Sequence, residues 1–226
     1  MIGSGGREHA ITWKLSQSEL CTKIYVAPGN AGTEEEPKTE NIDFRAEDLE
    51  GLLSFAKNQE IDLTIVGPEA PLVSGLIDLF EENDLLCLGP NKLAAQMEGS
   101  KIFMKDVLKK GNIPTAAYEV FSDPVLAKKY LENCEIPIVL KADGLAGGKG
   151  VIVAFSREEA LEALNSLMVD KKLGSAGDIL VIEEFLEGEE ASFIVLCDGE
   201  SILPLASSQD HKLSLIHISE PTRPMN

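Results

Sequence analysis

Apolar positions along this chain recur with two periods, and the switching between them predicts an α/β protein. Short apolar runs at Lys23–Ala27, Ile61–Val66 and Leu85–Leu88 read as strands. Between them, helical spacing carries Leu49, Leu52, Leu53 and Ala56 in the segment 48–57, and a second helix is expected over Val73–Glu82. Ile11, Leu15 and Leu20 continue a helical pattern opened by the turn Gly3-Ser4-Gly5-Gly6. Strands that alternate with helices predict a doubly wound parallel sheet. The loops Gly3–Arg7, Pro28–Thr33 and Gly67–Leu72 would then gather beyond the C-terminal strand ends, where such sheets hold small molecules.

The first of these turns is not a dinucleotide fingerprint. Only Met1 and Ile2 precede its first glycine, and Glu8 stands where G-x-G-x-x-G has its third, so the first strand reads as clipped. A turn at a helix N-terminus still suits a phosphate.

Past a helical linker at Leu93–Met97 the order of elements changes. A helix over Ile102–Lys110 is closed by Gly111, and a strand follows at Tyr118–Phe121. Ser122-Asp123-Pro124 supplies an N-cap and a first-turn proline for a helix over Val125–Asn133. Lys101, Lys105, Lys109 and Lys110 give the helix at Ile102–Lys110 a basic face, and three of the four are expected to be solvated. The apolar runs Ile136–Leu140 and Val151–Phe155 bracket Lys141-Ala142-Asp143-Gly144-Leu145-Ala146-Gly147-Gly148-Lys149-Gly150, which predicts two strands joined by a glycine-rich loop. Glycines let backbone N–H groups approach a ligand, and Lys141 and Lys149 add cationic heads, which suits a polyphosphate. A Walker A loop needs Ser or Thr after the lysine and a helix after that, and here Gly150 and a β-branched run follow. A helix from Ser156 leads to the strand within Asp178–Leu186, which ends among carboxylates. Its backbone, where it leaves the sheet at Glu184–Leu186, is placed to pair with a planar heterocycle, and Glu190 to accept sugar hydroxyls. A hairpin at Asp198-Gly199 joins two further strands.

Composition narrows the classes. The chain has 226 residues, 44% of them apolar, enough for a core, and a formal charge of −18 that repels nucleic acid except at local basic patches. No run of eighteen apolar residues and no charged leader precedes an apolar stretch, so neither membrane nor export is indicated and the cytoplasm is the default. Cys21, Cys87, Cys134 and Cys197 lack the close spacing of metal or redox motifs and are expected as buried free thiols. The acidic run Glu34–Glu36 reads as solvated surface.

Seven blocks in one order, GSGGREHA, VAPGNAGT, DLTIVGPEAPL, GSK, PIVLKADGLAGGKGV, VIEEFLEGEEASF and SSQDHK, resemble the phosphoribosylamine–glycine ligase family. The resemblance covers Ile2 to Lys212. It implies a Rossmann-like N-terminal domain over residues 1–98 and the first part of an α+β ATP-grasp domain over residues 99–212, with a nucleotide-clamping lobe at about 115–187. It implies ligation of glycine to 5-phosphoribosylamine, with ATP split to ADP and phosphate through glycyl phosphate, in purine biosynthesis with Mg2+ or Mn2+. ATP would contact Lys101, Lys141, Gly144, Gly147, Gly148, Lys149, Gly150, Glu183, Glu184, Phe185, Leu186 and Glu190. Phosphoribosylamine would lie near Gly5, Gly6, Arg7, Glu8, Pro28, Gly29, Asn30, Gly67, Pro68 and Glu69, with Asp210 and Lys212 at the reacting end. The family's metal-binding glutamate and asparagine come later than Lys212, so no metal ligand is expected here and the chain alone is expected to be inactive. Residues 213–226 depart from the family pattern and read as a non-native tail. An ATP-binding module without chemistry, or an ATP-grasp ligase of another substrate, are the alternatives.

Overall fold

The structure is a computed structural model that describes residues 1–145 and 150–209. One compact unit spans Met1–Phe185 and a second begins at Leu186.

The first unit opens with β1 (Ile2–Gly3), α1 (Gly6–Ser16), β2 (Ile24–Pro28), α2 (Ala31–Glu34), β3 (Thr39–Asn41), α3 (Leu49–Asn58), β4 (Thr64–Ile65), α4 (Glu69–Ser74), α5 (Leu76–Glu81) and β5 (Cys87–Leu88). Strands β1, β2 and β3 pair in parallel, as do β4 and β5, and a parallel bridge from Ile2 to Val66 joins the two sets. The order β3-β2-β1-β4-β5 reverses direction at β1 and β4, which is a doubly wound sheet and confirms the α/β expectation. Two residues of β1 suffice to place Ile2 at its centre, where it is buried with Ala27, Val66, Leu52 and Ala56 of α3, and Leu76, Ile77 and Phe80 of α5. The spacing of Leu52, Leu53 and Ala56 puts all three on one face of α3.

Two local features depart from the sequence pattern. The single helix expected over Val73–Glu82 is divided at Gly75, whose φ of +97° ends α4 in the left-handed conformation open to glycine at little cost. Helix α2 and strand β3 carry no apolar run. Asn30 accepts hydrogen bonds from Gly32 and Thr33 N–H and so starts α2, and β3 (Thr-Glu-Asn) is held by its ladder to β2.

Helices α6 (Lys92–Gly99) and α7 (Lys101–Lys110) meet at Ser100, an extended residue whose hydroxyl accepts from Phe103 N–H. Then come β6 (Tyr118–Phe121), α8 (Pro124–Leu131), β7 (Ile138–Ala142), β8 (Val151–Ala154), α9 (Arg157–Leu164) and β9 (Leu180–Glu184). These strands form an antiparallel sheet in the order β6-β9-β7-β8. Ile138, Leu140 and Ala142 of β7 and Leu180 and Ile182 of β9 form a separate core with Ala127 and Leu131 of α8 and Ala160 and Leu164 of α9. Because side chains alternate along a strand, Lys141 and Glu183 lie on the opposite face.

In the second unit, β10 (Val195–Cys197) and β11 (Ile202–Pro204) form an antiparallel hairpin, with Ser192 bridged to Ser208.

Candidate functional site

Lys141, on the sheet face turned away from α8 and α9, meets a cluster of opposite charge. Its Nζ donates to Glu183 Oε2 at 2.8 Å, and Glu183 is only 4% exposed. The β7–β9 register sets Lys141 opposite Val181 and Val139 opposite Glu183, so the two side chains are diagonal neighbours on one face. Lys105 of α7 approaches from the other side, with Nζ 3.3 Å from Glu183 Oε1. That approach is off the direction of a hydrogen bond, and Oε1 has no hydrogen-bond partner among the described residues. Lys105 Nζ instead donates to Thr115 Oγ1 at 2.8 Å and Ala116 O at 3.1 Å, and sits 5.0 Å from the centre of the Tyr118 ring.

The expectation that Lys105 is solvated is therefore wrong: it is 2% exposed. One helical turn separates it from Lys101, so the two share a face of α7, and that face packs toward the sheet. Lys109 and Lys110 are exposed as expected.

Lys101 is held by the base of the glycine-rich loop. Asp143, just past β7, accepts from Lys101 N–H at 2.7 Å and from Ile102 N–H at 3.3 Å, while Ser100 Oγ donates to the same carboxylate. A carboxylate at a helix N-terminus meets free amide donors and the favourable end of the dipole. Lys101 Nζ donates to Gly144 O at 3.1 Å. Burial lowers the Lys101 pKa below the ordinary lysine value, against the opposing pull of Asp143. Asp143 and Lys105 were not singled out from the sequence as site residues. Asp143 lay within the loop motif itself, and Lys105 was signalled by its i+4 spacing from Lys101.

At the strand end, Glu184 is committed to the ladder. Its N–H donates to Ala117 O and its Oε1 accepts from Ala117 N–H, both at 2.9 Å. The Glu184 amide is thus not open to a heterocycle, and backbone leaves the sheet only from Phe185. The Phe185 ring stands 5.8 Å from that of Phe155. Leu186 and Glu190 belong to the second unit. Gly147, Gly148, Lys149, Asp210 and Lys212 lie outside the described residues, while Gly150 is buried just ahead of β8.

The three loops expected at the C-terminal edge of the parallel sheet do converge. Gly29 N–H donates to Gly3 O, Asn30 Nδ2 to Ser4 O, and Gly67 N–H to Ile2 O. Glu8 fills the crevice at the reversal point: it is 7% exposed, and its Oε2 accepts from Gly5 N–H at 2.6 Å. A Cβ on Gly67 would fall 2.3 Å from Glu8 Oε1, and one on Gly3, whose φ is +124°, 2.5 Å from Glu8 Cγ. These glycines make room for a carboxylate where a dinucleotide turn would admit a pyrophosphate. Arg7, with Glu69 3.7 Å away, keeps an exposed guanidinium at this edge. Glu36 is not merely solvated surface, since it pairs with His9 Nε2 at 2.9 Å. The four cysteines are free, as expected, but none is buried as expected: Cys197 is exposed and the other three are half-buried. No described helix is long and apolar enough to cross a membrane, and no described group of three or more His, Cys, Asp or Glu could hold a metal ion.

A doubly wound domain followed by an antiparallel sheet, with lysines on α7 and β7 flanking a glycine-rich strand–loop–strand, defines an ATP-grasp protein. Residues 1–98 match the phosphoribosylglycinamide synthetase N domain and residues 99–216 the phosphoribosylglycinamide synthetase ATP-grasp (A) domain. The chain belongs to the phosphoribosylglycinamide synthetase family. It is 58% identical over 212 residues to a phosphoribosylamine–glycine ligase of Yersinia pestis, covering 94% of this chain and 50% of that protein. A Haemophilus influenzae protein of the same name is 55% identical over 94% of this chain and 49% of its own length. The crystal structure of phosphoribosylamine–glycine ligase from Thermotoga maritima superposes with a TM-score of 0.74 at 30% identity, over 93% of this chain and 49% of that one. A biotin carboxylase domain from Hydrogenobacter thermophilus shares the fold at 18% identity, with a TM-score of 0.71 over 91% of this chain and 48% of its own. The chain spans about half the length of the curated relatives it matches.

Proposed function

We propose that this chain supplies the ATP-clamping lobe and the phosphoribosylamine-facing domain of an ATP-dependent ligase that joins glycine to 5-phosphoribosylamine. The observation that carries the proposal is the placing of Lys101 and Lys141 beside the glycine-rich loop, Lys101 bonded to Gly144 O and Lys141 to Glu183. In this reading the two lysines meet the ATP phosphates, and the loop 144–150 closes over them. The adenine lies against the backbone at Phe185, where β9 ends. The glycine carboxylate oxygen takes the γ-phosphoryl group, ADP leaves, and the amine nitrogen of phosphoribosylamine then displaces phosphate. Phosphoryl transfer asks a protein mainly for positioning and charge stabilisation. Asp143 serves the first, because it ties the N-terminus of α7 to the strand that carries Lys141. A closed loop also keeps water from the acyl phosphate.

At the parallel-sheet edge, Gly5, Gly6, Arg7, Glu8, Pro28, Gly29, Asn30, Gly67, Pro68 and Glu69 receive phosphoribosylamine. The exposed Arg7 guanidinium and the N-terminus of α1 suit its phosphate. Asp210 and Lys212 act at the reacting end, and Mg2+ or Mn2+ assists when bound. Among the described residues no group of three or more His, Cys, Asp or Glu could hold that ion.

The clamp is tested by calorimetric titration of the chain with ATP: Lys141→Ala should lose affinity about tenfold, while Lys110→Ala should bind as the parent does. Equal effects refute the clamp. The reaction is tested in a protein of the relatives' full length that carries this chain. ATP consumption there must require glycine and phosphoribosylamine together, and consumption supported by a different amine would favour another ligase.

A further inference from the structure

Lys101 is bonded at both of its ends to two consecutive residues. Its N–H donates to Asp143 Oδ1 at 2.7 Å, and its Nζ donates to Gly144 O at 3.1 Å. The same carboxylate holds the rest of the helix end, accepting from Ile102 N–H and from Ser100 Oγ, each at 3.3 Å. Asp143 is fixed in turn by its own N–H, which donates to Ile179 O at 3.0 Å just ahead of β9. Gly144, with φ at +95°, turns the chain directly afterwards. Lys101 is therefore ordered before a ligand arrives. A lysine free in solvent loses rotamer freedom on binding, and here that loss falls on folding instead. One of its three ammonium donors goes to Gly144 O, and the group can still meet a phosphate oxygen.

Charge adds to position. Lys101 is half-buried, and burial lowers its pKa below the ordinary lysine value. Four charged groups act against or with that burial: Asp143 most strongly, then Glu98 of α6, Lys141 of β7 and Glu183 of β9. The three carboxylates favour the ammonium and Lys141 opposes it. Because Asp143 is taken by backbone amides, it supports the ammonium from a fixed place without occupying Nζ.

We propose, on the reading that Lys101 meets the ATP phosphates, that Asp143 is the positioning residue of the clamp: it fixes Lys101 by its backbone and supplies the anion that stabilises its ammonium. Asp143 touches no phosphate in this assignment and acts through Lys101 alone.

The test is ATP affinity against pH, measured by calorimetry on the 226-residue chain between pH 8 and 10, where a phosphate terminus is fully ionised. Circular dichroism at each pH restricts the comparison to folded chain. Affinity should fall as pH rises and Lys101 loses its proton. Asp143→Asn keeps an oxygen for the Lys101 and Ile102 amides but removes the charge, so the fall should move to lower pH, with binding about threefold weaker than the parent's at pH 9. Asp143→Glu, informative even if the asparagine variant does not fold, keeps the charge and displaces the carboxylate; it should weaken binding at every pH without moving the profile. Two controls separate this from a merely structural role. Ser100→Ala loosens the same end of α7 without touching the charge and should keep the parent's profile. Asp143→Asn combined with Lys101→Arg should move nothing, because a guanidinium stays charged throughout. An Asp143→Asn profile that superimposes on the parent's, an equal shift in the Lys101→Arg chain, or a shifted profile for Asp143→Glu would each overturn the proposal and leave the clamp standing. Lys101→Met should bind ATP about tenfold more weakly at pH 8; binding equal to the parent's would instead remove the reading of the clamp beneath it.

Discussion

Lys105→Met tests whether the buried lysine on α7 organises the clamp. Methionine keeps the length and most of the volume of the side chain and removes only its ammonium. Four contacts go with it: the hydrogen bonds to Thr115 Oγ1 and Ala116 O, the approach to Glu183 Oε1, and the position over the Tyr118 ring. Breaking a fully buried pair from one side costs about 3–5 kcal/mol, because the other charge is left uncompensated. Here Glu183 keeps Lys141 at 2.8 Å, so the loss is smaller, about 2–3 kcal/mol, most of it from Thr115 Oγ1 and the Ala116 carbonyl losing their donor and from Glu183 Oε1 losing its neighbouring ammonium charge. Urea unfolding followed by circular dichroism should show the midpoint fall by that amount at constant m-value, while Lys109→Met changes it by less than about 0.5 kcal/mol. Adding Glu183→Gln to Lys105→Met should recover part of the loss, since the two residues share one interaction. If Lys105→Met and Lys109→Met were equally mild, the burial and pairing of Lys105 would carry no energy and the reasoning would fail.

Three other outcomes follow from the packing and burial of single residues. Gly67→Ala drives a Cβ to 2.3 Å from Glu8 Oε1 and should cost about 1–3 kcal/mol in chemical denaturation, with Glu8→Ala in the same chain relieving most of it; additive losses would show that the glycine has another purpose. Burial lowers the Met1 amine from 8.0 to about 6, so the unfolded chain takes up its proton first, and stability present above pH 8 is lost as pH falls through 6. The full shift corresponds to about 2.7 kcal/mol, and less is expected because Met1 is half-buried as a residue; a chain acetylated at Met1 should lack this slope in unfolding free energy against pH. Burial also pushes the Cys87 thiol up to about 12, so at pH 8 a thiol reagent should label the exposed Cys197 first and Cys87 last, with about 10³-fold less thiolate at Cys87 than at an ordinary thiol.

The elements that the sequence revealed are those whose apolar residues face one core. Leu52, Leu53 and Ala56 announced α3, and the run at Ile136–Leu140 announced β7, because burial on one side leaves a periodic trace. Strand β3 left no such trace: Thr39-Glu40-Asn41 is defined by backbone pairing to β2, which is indifferent to side-chain type. Helix α2 likewise depends on the Asn30 cap more than on any apolar stripe. The break at Gly75 was equally hidden, since the hydrophobic spacing runs on through it and only the left-handed φ marks the change of axis.

The site was legible to the extent that its chemistry is local. Lys101, Lys141 and the glycines between β7 and β8 form compact motifs, and a motif states its own ligand type. The partnership that holds Lys141 in place is not local: Glu183 lies 42 residues away and meets it only through the β7–β9 register, and Lys105 arrives from a helix outside the sheet. A one-residue slip of β9 would turn Glu183 into the apolar core and leave Lys105 facing no carboxylate. The same register that buries Leu180 and Ile182 against α8 and α9 therefore sets the charge balance on the opposite face, so core packing and clamp electrostatics are two consequences of one strand alignment. A substitution that disturbs the β9 core, such as Ile182→Ala, should for that reason weaken ATP binding as well as stability, whereas an equal loss of stability from Leu52→Ala in the parallel-sheet core should leave ATP affinity unchanged in the folded fraction. Equal losses of affinity from the two variants, measured by calorimetry at matched folded population, would separate the clamp from the register and refute the link.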